Sequence, residues 1–198
     1  MKAYYHARAG EYDDWWVGEG LFVDRDRPGW DEEVEELQRV VSELPPVRTL
    51  DVACGTGFLT RHLRGEVVGF DQSEAMLELA REKIPHATFV QGDALELPFS
   101  HGEFDRVFTS YFYCHLEEGE RVRFLSDARR VAPELVVVAT VRKGPRRPPA
   151  HYEERTLGDG SKWRVFKRYF LADELVEELG GGEVLLEGQR YFLVVRSP

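Results

Sequence analysis

The sequence is poor in residues that oxidise or deamidate. Its 198 residues include no asparagine, four glutamines, two methionines and two cysteines. Cys54 and Cys114 form no CxxC pair and are too few for a disulfide framework, so a cytoplasmic location is expected. Few thermolabile residues together with 31% charged residues are typical of a thermophile, although a GC-rich genome would bias composition in the same way.

Long hydrophobic runs are also absent. The longest apolar stretch, Leu135 to Val141, is far shorter than the roughly 18 residues of a membrane-spanning helix. The start of the chain has no apolar h-region, so we expect no secretory signal and no membrane partner. With 42% apolar residues, the chain is long enough to bury the core of one domain.

Negative charge dominates the chain but is unevenly distributed. The net charge of −10 disfavours binding to a nucleic-acid backbone. Residues Arg142 to Arg168, however, hold nine basic residues against three acidic ones. Such a segment could attract an anionic substrate, for example a carboxylate or a phosphate. The alternative is a solvated charged face that binds no ligand.

Short apolar runs recur along the first three quarters of the chain, as buried parallel strands do. The predicted strands are Thr49–Ala53, Glu66–Phe70, Ala87–Gln91, Phe104–Thr109 and Glu134–Val141. Helical periodicity separates them: Ser73 should cap one helix, and Val122, Leu125, Ala128 and Ala132 should line another. Strands that alternate with helices predict an α/β, Rossmann-like, doubly wound sheet.

The pattern changes after Val141. A loop over Arg142–Pro149 should precede a hairpin that turns at Gly158–Gly160, a short helix over Leu171–Leu179 and a closing pair of strands. We therefore predict a single domain in four parts: an N-terminal helical cap or lid (1–46), a cofactor-binding core (47–141), an insertion loop and hairpin (142–170), and a closing helix and hairpin (171–198).

A glycine turn follows the first predicted strand. Asp51 ends the strand, and Gly55 and Gly57 stand two positions apart before a predicted helix. Glycines at such a turn let a ligand approach the backbone and expose free N–H groups. The dinucleotide fingerprint needs a third glycine where Thr60 stands, so an NAD-dependent oxidoreductase remains an alternative with an incomplete motif.

The next two strands also end in acids. Asp71 lies 20 positions after Asp51 and could accept hydrogen bonds from both hydroxyls of a ribose, or it could simply favour the helix that follows. Asp93 and the amide of Ala94 offer the acceptor and the donor that an adenine edge requires. Alone, a Gly-Asp pair would be an ordinary turn.

Together these segments resemble class I S-adenosylmethionine-dependent methyltransferases. The resemblance rests on Asp51-Val-Ala-Cys-Gly55-Thr-Gly57, Val68-Gly-Phe-Asp71-Gln72-Ser-Glu-Ala-Met76-Leu and Gln91-Gly-Asp93-Ala94-Leu-Glu-Leu-Pro-Phe99, and covers roughly Tyr4 to Val141. The chain is most similar to the small-molecule branch that includes ubiquinone and menaquinone biosynthesis methyltransferases. This likeness implies a seven-stranded, mostly parallel sheet with one antiparallel strand in the C-terminal hairpin.

The resemblance also implies roles for individual residues toward S-adenosylmethionine and its product S-adenosylhomocysteine. Asp51, Gly55 and Gly57 would hold the methionine moiety, and Asp71 the ribose. Gln72 and Met76 would lie beside the adenosine, Asp93 and Ala94 at the adenine, and the stretch Phe108-Thr-Ser110-Tyr111 under the methyl group. The hydroxyl of Tyr12 or Tyr4 would lie near the carboxylate, or else these aromatic residues only dock the N-terminal helix. Cys54 departs from the Gly or small residue of many relatives but is itself small.

The acceptor is not encoded in any motif. His115 follows the fourth strand and is the best-placed general base, or else a histidine hydrogen-bonded within its loop. A nucleic-acid-modifying methyltransferase is a second alternative, although Ser110-Tyr-Phe-Tyr113 is not the Pro-Pro-aromatic run of the amino-methylating enzymes. No cluster has metal-ligand spacing. The predicted partner is a small molecule, and the assembly a monomer or homodimer.

Overall fold

The computed structural model describes residues 2–143 and 148–198, so part of the predicted loop over Arg142–Pro149 lies outside the described residues. The strands are β1 Thr49–Val52, β2 Val67–Asp71, β3 Thr88–Gln91, β4 Arg106–Ser110, β5 Glu134–Thr140, β6 Ala150–Thr156, β7 Lys162–Arg168, β8 Glu183–Glu187 and β9 Phe192–Ser197. The helices are α1 Lys2–Arg8, α2 Asp14–Val17, α3 Trp30–Glu43, α4 Glu74–Lys83, α5 Glu118–Val131 and α6 Ala172–Glu178.

Seven strands form one sheet in the order β3-β2-β1-β4-β5-β9-β8. The first five strands are mutually parallel, and β9 runs antiparallel to both β5 and β8. The predicted Rossmann-like sheet with one antiparallel strand is therefore confirmed. The strand order reverses between β1 and β4, and ligands of open α/β sheets bind at such a switch point.

The predicted cap of α4 is present, whereas the predicted face of α5 is partly wrong. Ser73 Oγ accepts a hydrogen bond from the N–H of Met76 at 3.4 Å. Ala128 and Ala132 are buried as predicted, whereas Val122 is 64% exposed and Phe124 faces the core instead. The core-facing register includes Arg121, because its guanidinium is buried in an ion pair with Glu178 at 2.5 Å. A charged residue on the inner face is invisible to a hydrophobic pattern.

The N-terminal segment is docked onto the sheet by aromatic packing. Trp16 stacks on Phe58 with ring centroids 4.4 Å apart and contacts Phe192 of β9 at 6.0 Å. Tyr4 of α1 packs separately with Leu157 and Val165 beside the β6–β7 hairpin. The first 30 residues and the hairpin therefore meet above the sheet, where they can bound a ligand cavity.

A buried carboxylate fastens α3 to the turn before β9. Glu33 accepts hydrogen bonds from the backbone N–H groups of Arg190, Tyr191 and Phe192 at 2.8, 3.1 and 3.3 Å. Its side chain is only 8% exposed. Hydrogen bonds to a charged acceptor are among the stronger ones in proteins, so this contact fixes the position of Tyr191.

Within residues 2–143 and 148–198, no helix is long and apolar enough to cross a lipid bilayer.

Candidate functional site

A cavity of about 210 Å³ opens at the carboxyl ends of β1, β2 and β4. It brings together most of the residues predicted to bind a cofactor, namely Tyr12, Gly55, Asp71, Gln72, Met76, Asp93, Ala94 and Ser110. We call it the cofactor cavity. Its lining also includes Tyr111, which is predicted to lie under the methyl group together with Ser110, and residues that sequence reasoning did not assign: Tyr5, Ala53, Leu95, Phe112, Leu116 and Glu120.

Asp71 is held in place by the backbone around it. Its Oδ2 accepts from the N–H of Gly55 at 3.0 Å, and its Oδ1 accepts from the N–H of Ser73 at 2.8 Å. Burial raises the pKa of this carboxyl, and these backbone donors act in the opposite direction. Each carboxylate oxygen has a second lone pair, so Asp71 can still accept from two ligand hydroxyls.

Asp93 is fixed in the same manner on the neighbouring strand end. Its Oδ1 accepts from the N–H of Leu95 at 2.9 Å, an Asx turn that orients the carboxylate at the rim of the cofactor cavity. Its Oδ2 remains available as an acceptor for an amino group. The buried Ala94 lies beside it in the lining.

Asp51 and Gly57 do not line the cofactor cavity. Asp51 Oδ2 accepts from Thr60 Oγ1 at 2.6 Å, while its Oδ1 is buried without a hydrogen-bond partner among the described residues. Burial, opposed by the Thr60 bond, raises the pKa of Asp51 from 3.8 to about 7. At Gly57 a Cβ would lie 2.9 Å from Ile84 Cδ1, so glycine allows the turn to pack against this residue. Their contact with a methionine moiety stays a prediction.

Two non-glycine residues at this edge have left-handed backbone conformations. Ala53 follows β1 with φ of 58°, and Tyr111 follows β4 with φ of 54°. Conformations of this kind cost energy and concentrate at ligand sites, where the surrounding structure enforces them. Both residues line the cofactor cavity, at the ends of two adjacent strands.

A second cavity of about 900 Å³ adjoins the first. It lies between the N-terminal segment, the β6–β7 hairpin and the turn that Glu33 holds, and we call it the acceptor cavity. Tyr5, Tyr12 and Tyr111 line both cavities and form their junction. Burial raises the pKa of Tyr12 to about 12, and it also raises the pKa values of Tyr5 and Tyr111 above their usual value of 10. The three phenols are therefore neutral at pH 7.

His115 lines the acceptor cavity and is almost fully buried. Its Nδ1 lies 2.6 Å from the carbonyl oxygen of Phe166 in β7. A carbonyl can only accept, so Nδ1 carries the proton and Nε2 is left as an acceptor. Burial, and then the positive charges of Lys167 and Arg155, lower the pKa of His115 well below 6.5. The imidazole is neutral at pH 7.

Comparison with known proteins identifies a matching family. Residues 49–134 match the family model described as a methyltransferase domain. The chain is 35% identical over 107 residues to a demethylmenaquinone methyltransferase of Thermotoga maritima, a match that covers 52% of this chain and 44% of that protein. It is 39% identical over 90 residues to an uncharacterized methyltransferase of Synechocystis, covering 44% and 42%. The chain thus spans less than half the length of these curated relatives.

Two solved structures are similar over nearly the whole chain. The DhpI–SAH complex is 28% identical with a TM-score of 0.76, covering 98% of this chain and 92% of that one. The DhpI–SAM–HEP complex is 26% identical with a TM-score of 0.78, covering 99% and 95%. The likeness therefore includes the N-terminal segment and the hairpin, which the family model leaves out.

Proposed function

We propose that this chain, which carries a class I methyltransferase domain, transfers a methyl group from S-adenosylmethionine to a small-molecule acceptor. The observation that carries the proposal is the pair of cavities joined at Tyr5, Tyr12 and Tyr111. The cofactor cavity contains the acids at the ends of adjacent strands, whereas the acceptor cavity is lined mainly by aromatic and charged side chains. The relative named for demethylmenaquinone methylation and the DhpI complexes with SAM and SAH support this assignment.

The residues present fit this cofactor. Asp71 offers two anchored carboxylate oxygens to ribose hydroxyls, and Asp93 offers an acceptor to the adenine amino group. Gln72 and Met76 would flank the adenosine, with Ser110 near the methyl group. Gly55 has a φ of 55°, a left-handed conformation that favours glycine, and it lies in the lining beside Tyr12. Asp51 Oδ1, buried and unpaired, is free to accept from a donor.

When bound, S-adenosylmethionine supplies an electrophilic methyl carbon whose bond to sulfur breaks as the bond to the acceptor forms. The task of the protein is alignment and exclusion of water. The three tyrosine rings supply a neutral junction between the two cavities. For an acceptor with a hydroxyl or N–H group, we propose His115 Nε2 as the atom that takes the proton.

The geometry disfavours an oxidoreductase. Thr60, at the position of the missing third glycine, uses its hydroxyl to hold Asp51 and begins a 3₁₀ turn over Thr60–His62. The dinucleotide motif instead needs a glycine there for close packing of a helix on the strand.

The free thiols Cys54 and Cys114 are compatible with a cytoplasmic enzyme.

Thermal denaturation with S-adenosylhomocysteine and, separately, with NAD tests the proposal. Ligand at 100 times its Kd stabilises by about 2.7 kcal/mol. For a chain of this length we expect a rise in Tm of about 5–10 °C with S-adenosylhomocysteine and none with NAD. A rise with NAD alone would contradict the proposed cofactor.

A further inference from the structure

Four of the nine basic residues of the Arg142–Arg168 segment are paired with acids and lie outside the lining of the acceptor cavity. The four ion pairs are Arg142 with Glu174, Lys143 with Glu187, Lys162 with Glu154 and Arg168 with Glu178. Arg164 instead lies over the ring of Tyr152 at 4.2 Å. None of these five basic side chains lines the acceptor cavity.

Arg155 and Lys167, by contrast, line the acceptor cavity, and Arg8 of α1 joins them there. Lys167 is 95% buried, since its exposed fraction is 5%. Its Nζ lies 3.3 Å from Cys114 Sγ and 4.8 Å from the ring centroid of Tyr111. In the described part of the chain, no carboxylate lies within 4.0 Å of this ammonium group.

Arg8 is a second buried cation without an acidic partner. It is 7% exposed, and its guanidinium carbon lies 4.9 Å from the ring centroid of Tyr12. No ion pair of Arg8 is formed among residues 2–143 and 148–198. Arg8 and Arg155 both lie 5.9 Å from the ring centroid of Tyr4, so the two guanidinium groups flank the same side chain.

One carboxylate serves this group of three cations. Glu153 pairs with Arg155 at 3.1 Å and also accepts from the hydroxyl of Tyr169 at 2.5 Å. Burying a cation without a counter-ion is costly, and burial indeed lowers the pKa of Lys167. Glu11, Asp26 and Glu154 also line the cavity, but within the described residues none of them forms an ion pair with these three cations, which are therefore suited to an anionic ligand.

We propose that Arg8, Arg155 and Lys167 bind an oxyanion of the methyl acceptor, either a carboxylate or a phosphate group, beside the Tyr5–Tyr12–Tyr111 junction. The role of this oxyanion as part of the acceptor rests on the proposed methyl transfer, whereas the anion site itself does not. Arg8 lies outside the basic segment of the sequence, and only the docking of α1 against the hairpin adds it to the site.

The same three cations face His115. Their positive charges contribute to lowering its pKa, after burial, and an anion bound among them would offset that effect. A bound oxyanion would thus make Nε2 a better proton acceptor only when the acceptor molecule is present.

Titration calorimetry with inorganic phosphate and with acetate tests the site, both on the free protein and on protein saturated with S-adenosylhomocysteine. Lys167→Met and Arg8→Met each remove one cation while keeping an apolar stem. Lys162→Met is the matched control, because it removes the same charge from an exposed position on the same strand. A charge-assisted hydrogen bond is strong enough that its loss should weaken anion binding about tenfold.

We expect at least one anion to bind the unaltered protein, with the preference between them distinguishing a phosphate from a carboxylate acceptor. Lys167→Met and Arg8→Met should weaken it about tenfold, and Lys162→Met should leave it unchanged. The affinity for S-adenosylhomocysteine should be equal in all variants, so a failure of the cofactor assignment is seen separately. The proposal would be overturned if neither anion binds, or if Lys162→Met weakens anion binding as much as Lys167→Met and Arg8→Met do.

Discussion

The two cavities are built in different ways. The cofactor cavity depends on backbone groups that are close in sequence: Asp71 is fixed by Gly55 and Ser73, and Asp93 by Leu95. The acceptor cavity depends on side chains that are far apart in sequence. Arg155 donates to the hydroxyl of Tyr4 across 151 positions. The cofactor cavity can therefore be predicted from local sequence patterns. The acceptor cavity cannot, because its side chains come from distant parts of the chain.

The largest expected effect is a loss of cofactor affinity that leaves the acceptor cavity unchanged. Asp71→Ala removes two candidate acceptors for ribose hydroxyls, and hydrogen bonds to a charged group contribute about 1.5–3 kcal/mol each. We expect the affinity for S-adenosylhomocysteine to fall by more than about 100-fold in calorimetry. Phosphate binding to the acceptor cavity should persist, which shows that the variant folds. An unchanged affinity would refute the ribose assignment.

A change on the acceptor side should affect stability and leave the cofactor untouched. Tyr4 is 3% exposed and packs with Leu157 and Val165, so Tyr4→Ala should cost about 3 kcal/mol. We expect the Tm to fall by about 6–12 °C. Tyr4 does not line the cofactor cavity, and the affinity for S-adenosylhomocysteine should stay within about twofold. Tyr152→Ala, on β6 but 46% exposed, is the control and should have little effect on the Tm.

The sequence predicted the parts of the molecule that depend on neighbours along the chain. The first five strands, the Ser73 cap and the grouping of Asp71 with Asp93 follow from local patterns. The inward position of Arg121 depends on Glu178, and the approach of Arg8 to Arg155 depends on the docking of α1 against the hairpin. Contacts of this kind have no periodicity, so no pattern in one sequence predicts them.

A third variant tests whether burial raises the pKa of Asp51 on the cofactor side. The pKa of Asp51 is 3.8 in the unfolded chain and about 7 when folded, so its protonated form stabilises the native state at low pH. That contribution is complete below about pH 4 and is lost as pH rises through about 7. Asp51→Asn should therefore melt near the original temperature at pH 4 and higher at pH 8.

The three-unit shift corresponds to at most about 4 kcal/mol, and we expect about half of it because Asn also alters the bond to Thr60. The Tm difference at pH 8 should then be about 4–8 °C. An equal difference at both pH values would show that Asp51 is ionised throughout.

The smallest effect concerns the strained turn after β1. Ala53→Gly relieves a φ of 58° that glycine adopts without cost, and it should raise the free energy of unfolding by about 1 kcal/mol. Ala172→Gly, at the first position of α6, is the matched control and should not stabilise. Urea denaturation measures both; a loss of stability in Ala53→Gly would mean that the methyl group of Ala53 packs productively.

The hydrogen bonds of Glu33 can form only late in the synthesis of the chain. Its carboxylate bonds to the N–H groups of residues 190–192, which leave the ribosome on the order of ten seconds after the last strand end that borders the cofactor cavity. Until then Trp16 can stack on Phe58 but lacks its contact with Phe192. The acceptor wall is thus the last part of the nascent chain to close, and that interval is when the chain most needs protection from aggregation.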